Sequence, residues 1–86
     1  MSEYVEARYV KSVLQEARSA EPDGAAKLIN DLLRDLSSLQ RLSEAREQTL
    51  KSIQLLALSL ARRSIPAREW DAASKATDAW CESALN

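Results

Sequence analysis

The stretch that decides the fold is residues 25–63, AAKLINDLLRDLSSLQRLSEAREQTLKSIQLLALSLARR. It holds neither Gly nor Pro over 39 residues. Ala, Leu, Arg, Lys, Gln and Glu dominate it, and these are good helix formers. Ile29, Leu36, Leu50 and Ala57 lie seven or fourteen apart. Leu32, Leu39, Ile53 and Leu60 form the companion series. Together they make a heptad-like seam interrupted by one polar layer, Ser43 and Arg46. Two readings follow. In the favoured one a single helix of roughly 58 Å runs through, at 1.5 Å per residue. The seam keeps phase across the polar layer, and Ser-Glu-Ala-Arg-Glu-Gln has none of the Gly, Asn or Pro that tight turns recruit. In the other reading the chain breaks near residues 42–49, and Ser43 caps a further helix.

Outward from this stretch, the breakers are Pro22-Asp23-Gly24 and Ile65-Pro66. Before the first, a helix is expected over about 3–19. Ser2 is its N-cap, and Glu3 and Glu6 suit the positive end of its dipole. Ala7, Val10, Val13, Leu14 and Ala17 form its apolar stripe, and Val5 and Tyr9 widen it. Asp23 is expected to cap the middle segment, placing its start at Ala25. After the second breaker, a helix over about 66–84 opens on Pro66, the first-position residue that tolerates a missing amide. Trp70, Ala73, Thr77, Trp80 and Ala84 share one stripe of it. Ala72, Ala76, Ala79 and Ser83 form a second stripe of small side chains, which lets another backbone come close. No stretch alternates strictly, so strands are not expected. The fold class is all-α: a single domain, a small bundle of three helices, or four if the middle segment breaks near 43–48.

With 86 residues, one domain is the ceiling. Of the 39 apolar residues, fourteen are Ala. So small a core supplies only a few kcal/mol net. Either the helices pack very regularly, or a second copy or a partner completes some apolar surface. The stretch Leu55–Ala61 is apolar nearly all round, as in a helix buried on more than one face. This points to a central helix or an oligomer interface. The seam residues Leu36, Leu39, Leu50, Ile53 and Leu60 are therefore candidates for self-association, and a homodimer is expected.

Chemistry is sparse. There is no His, and Cys81 is the lone Cys. An intrachain disulfide is excluded, a zinc site would need an uncommon carboxylate-rich set, and Cys81 has no His to activate it. No catalytic residue, metal ligand or cofactor is assigned. Asp31 and Asp35, four apart, share a helix face with Arg34 nearby, as solvated faces usually do. Arg62, Arg63 and Arg68 flank the Ile65-Pro66 junction. Arg forks suit carboxylate or phosphate, but the net charge of −1 provides no dense basic stripe for a nucleic acid. The acidic N-terminus has no apolar run for a secretory signal, and no stretch approaches the roughly 20 residues that cross a bilayer. A cytoplasmic protein is expected.

In size and character the chain is similar to the small all-helical proteins that phages and bacterial operons use as inhibitors, adaptors or secretion chaperones. The step Ile65-Pro66-Ala67-Arg68-Glu69-Trp70 looks like one in small helical nucleoid-associated modulators. It covers six residues, helix-start physics explains it equally well, and no functional residue is carried over from it. The expected function is stoichiometric, non-enzymatic protein–protein contact, as an inhibitor, adaptor or chaperone. Asp31, Asp35, Arg62, Arg63 and Arg68 are the candidate partner-binding rims. The alternative is a small nucleic-acid-associated transcriptional regulator that uses the three Arg.

Overall fold

In a computed structural model the described residues form four α-helices: α1 (Glu3–Ser19), α2 (Pro22–Ser37), α3 (Glu44–Ala61) and α4 (Ala67–Leu85). The structure describes residues 2–37, 43–63 and 66–85. No strand occurs among the described residues. Each helix packs on its chain neighbours, and α4 closes the ring against α1. The bundle measures 37 × 22 × 18 Å.

The middle segment is two helices, which corrects the expectation of continuity. Ser43 has extended backbone, φ −74° and ψ 160°, and its Oγ accepts from the Arg46 amide at 3.2 Å. Glu44 and Glu47 follow in the first turn, where the helix dipole favours negative charge. The physical reason is burial. A lone straight helix would leave the stripe Ala25, Ile29, Leu32 and Leu36 wet, whereas the break folds it against α1 and α3. The heptad phase survives because both helices present an apolar face to the same core, which does not require one helix.

The start of α2 also differs. The helix opens at Pro22, so Asp23 and Gly24 lie in its first turn rather than before it. The Ala25 amide already bonds to the Glu21 carbonyl at 2.8 Å. Pro22 at the helix start loses an amide that has no partner there anyway. The two outer helices match their expected spans within a residue. The Ser2 hydroxyl caps α1 by accepting from the Val5 amide. At the other junction, the Pro66 carbonyl receives the Trp70 amide at 2.8 Å.

The core joins all four helices. Ala7, Val10, Leu14 and Ala17 meet Ile29, Leu32, Leu36, Ile53, Leu56, Trp70, Ala73 and Trp80. Both Trp side chains are core volume, as their shared stripe with Ala73 and Thr77 indicated. Cys81 is also buried. Between α1 and α4 run two surface ion pairs, Lys11–Asp78 and Arg18–Asp71, each at 3.0 Å. Exposed pairs of this kind contribute roughly 0–1 kcal/mol each.

Candidate interaction surface

The seam residues named for self-association lie inside the single chain. Leu36 and Ile53 are buried in its own core, and Leu50 and Leu60 are half-buried against it. Leu39 lies outside the described residues. The seam is therefore the intramolecular core in these described positions, because the break after Ser37 lets the two halves cover each other.

The polar layer within that seam is a buried network at one end of the bundle. Arg46 is 1% exposed. Its Nε donates to Glu6 Oε1 at 2.8 Å, and its Nη2 donates to the Leu36 carbonyl at 2.7 Å and to Glu6 Oε2 at 3.3 Å. The guanidinium also lies 5.9 Å from the Trp80 ring centroid. One side chain of α3 thus ties α1, α2 and α4 together. Its Nη1 has no hydrogen-bond partner. Beside it, Glu3 accepts from Trp80 Nε1 at 2.8 Å and from the Ser43 hydroxyl. These hydrogen bonds, Ser43 first and Trp80 second, hold the Glu3 carboxyl below the ordinary glutamate range; the Arg46 charge adds to the effect and partial desolvation opposes it.

The opposite character appears on the outer face of α3 and α4. Leu55 is 60% exposed and Leu58 52%. They point outward because the core-facing positions of α3 are taken by Arg46, Thr49, Ile53 and Leu56. The all-round apolar run at 55–61 was expected to be buried on more than one face; in the single chain only Leu56 of it is fully buried, and Leu55, Leu58 and Ala61 are exposed. Next to Leu55 runs a shallow groove between the two helices. Ser52, Leu55, Arg68, Glu69 and Ala72 line it. A second hollow, with Glu44, Gln48, Ala76, Ala79 and Ser83, lies between the same two helices. The groove exists because α4 presents its second stripe, Ala72, Ala76, Ala79 and Ser83, at its edge with α3. Small side chains there also let the backbones approach. The Thr49 hydroxyl reaches both its own Ala45 carbonyl at 3.0 Å and the Ala76 carbonyl of α4 at 3.2 Å.

The predicted rims divide. Arg62 and Arg63 end α3 and Arg68 opens α4, so all three sit at one end of the bundle and are exposed. Only Arg68 lines the α3–α4 groove. Arg63 lines a separate recess with Pro22, Asp23, Ala26, Leu60 and Pro66. Arg63 also has φ 55°, a left-handed conformation that ends α3, and its amide bonds to the Leu60 carbonyl at 3.2 Å. Asp31 and Asp35 are exposed on α2, which does not line the groove; Asp31 pairs with Arg34 of its own helix at 3.7 Å. A second exposed pair, Val5 and Tyr9, lies on α1. Among the described residues no His, Cys, Asp and Glu group is arranged to hold a metal ion. None of their helices is long and apolar enough to cross a membrane.

Fold and surface define the described residues as a small four-helix bundle with a buried polar network at one end and shallow apolar hollows between α3 and α4. The chain matches no protein-family model, no curated protein and no solved structure.

Proposed function

We propose that this protein is a non-enzymatic interaction module that acts stoichiometrically, by occupying a surface of another polypeptide. One observation carries the reading: α3 leaves both Leu55 and Leu58 more than half exposed, and Leu55 lines a shallow hollow against Ala72 of α4. Scattered exposed Leu residues are ordinary on a protein surface. Two on one helix, one of them lining an apolar hollow edged by Arg68 and Glu69, resemble the apolar centre and polar rim of a contact surface. Arg68 edges this hollow, and Glu44 edges the second one between the same helices. Inhibitors, adaptors and chaperones of this size work through such surfaces.

The test is photocrosslinking in the producing cell with a photoreactive residue at position 55, and at Asn30 on α2 as the control. The reading predicts discrete adducts from position 55 and none from position 30. A chain that gives no adduct at position 55 across expression levels contradicts it.

A further inference from the structure

We infer that the outer face of α3 takes an acidic amphipathic helix of another polypeptide, with the partner's apolar side on Leu55 and Leu58 and its carboxylates on Lys51, Arg62 and Arg68. This rests on the reading of that face as a contact surface, and it adds the chemistry of the partner.

The first observation is register. Lys51, Leu55, Leu58 and Arg62 follow one another at four, three and four residues, so they form one stripe along α3, and all four are exposed. Arg62 caps the helix yet keeps to the stripe. Its backbone is right-handed helical, and its amide bonds to the Leu58 carbonyl at 3.1 Å. The stripe has leucines at its centre and a cation at each end. It is about three helical turns long. A facing helix with apolar anchors at the same spacing matches it, as in helix recognition generally.

The second observation is charge. Lys11, Arg18, Arg34 and Arg46 each hold a carboxylate of the chain. Among the described residues, Lys51, Arg62 and Arg68 take part in none of these pairs. Arg68 lines the hollow that Leu55 also lines, and the one acid there, Glu69, is half-buried. The surroundings of the two leucines are therefore basic, although the whole chain carries a net charge of −1. Complementary carboxylates would select the partner and speed its encounter more than they add affinity.

The third observation is extent. Glu44 stands seven residues before Lys51, hence on the same side of α3, and it is exposed. The basic region is thus bounded. An anionic membrane or a nucleic acid extends past it and meets this acid, whereas a short helix ends before it. Phosphates also have no use for leucines at the centre of the stripe. A second copy laid stripe on stripe would set cation on cation in either orientation, because both ends are basic.

The experiment places benzoylphenylalanine at position 55 of the full chain in the producing cell, and sequences the crosslinked segment by mass spectrometry. The expected segment comes from another protein, carries more Asp and Glu than Lys and Arg, and has apolar residues at helical spacing. K51E/R62E/R68E should lower the adduct yield at least about tenfold, since three attractions become repulsions. Circular dichroism checks that this variant is folded, and K51Q/R62Q/R68Q replaces it if it is not, with a loss in the same direction. Made as a synthetic peptide, the segment should bind the parent chain and release as salt rises. With its acids changed to Lys, it should prefer the charge-reversed chain. Adducts to phospholipid, to nucleic acid or to a second copy overturn the inference. So does a segment without an acidic excess, or a yield indifferent to the charge variants. If a different protein is still captured in those last two cases, the contact reading stands and only the partner's chemistry falls. No adduct at position 55 overturns both.

Discussion

The two ends of α3 show opposite uses of side chains in one helix. At its N-terminal end a charged residue, Arg46, is almost fully buried and bonded to α1 and α2. Nearer its C-terminal end two leucines, Leu55 and Leu58, are more than half exposed. A burial rule based on polarity alone would invert both. The buried Arg is tolerated because Glu6, the Leu36 carbonyl and the Trp80 ring compensate it. The leucines stay exposed because Arg46, Thr49, Ile53 and Leu56 occupy the core-facing positions of α3, and that asymmetry is why function is sought at the outer face and stability at the polar end.

Breaking the polar end should have the largest effect. Trp80→Ala removes the largest fully buried side chain together with its bond to Glu3. A loss of about 3–5 kcal/mol is expected, enough to unfold most of a domain this small, as urea denaturation would show. Arg46→Ala should cost about 3 kcal/mol or somewhat more, since it leaves Glu6 and the Leu36 carbonyl without their donor. The same titration measures it; a change under 1 kcal/mol would mean that the network is incidental.

Smaller changes sharpen the contrast. Arg63→Gly should stabilise the fold by about 1 kcal/mol, because Gly adopts the left-handed conformation without the steric cost a side chain meets. The thermal midpoint should rise. Glu3 provides a pH signature. Its folded pKa is depressed, so its contribution is complete above the unfolded value and disappears as pH falls through the folded one. The parent should therefore lose stability on acidification below the ordinary glutamate range, and Glu3→Gln should show a shallower loss in the same window. At the groove, Leu55→Glu should leave the unfolding free energy within about 0.5 kcal/mol of the parent, as surface substitutions generally do, while abolishing contact. A large loss of stability there would place Leu55 in the fold instead.

The sequence made the outer helices plain. Ser2, the acidic first turn and the Trp70–Trp80 stripe carry local signals, and local signals determine helix ends and buried faces. The break between α2 and α3 was harder to read. Its cap, Ser43, was visible, but the unbroken heptad phase argued against it, and only burial of the Ile29–Leu36 stripe against α1 and α3 decides the matter. Arg46 looked like a polar layer because its neutralising partner, Glu6, lies 40 residues away. Of the site, the all-round apolar run at 55–61 was legible, but it implied burial on more than one face. Which side stays exposed was not legible, because the outward side of α3 depends on which face Arg46 and Thr49 occupy. The acidic pair on α2 and the three arginines looked like one class of rim, and the fold separates them: only Arg68 borders the groove.

The most direct measurement is hydroxyl-radical footprinting of the full chain, purified and in the producing cell. Leu55 and Leu58 are the probes, and the α1 pair Val5 and Tyr9 is the internal comparison, since all four are half exposed or more in the single chain. The account predicts that labelling at Leu55 falls in the cell while Val5 and Tyr9 stay labelled. Unchanged labelling at all four, or protection at Val5 and Tyr9 with Leu55 still open, would contradict it.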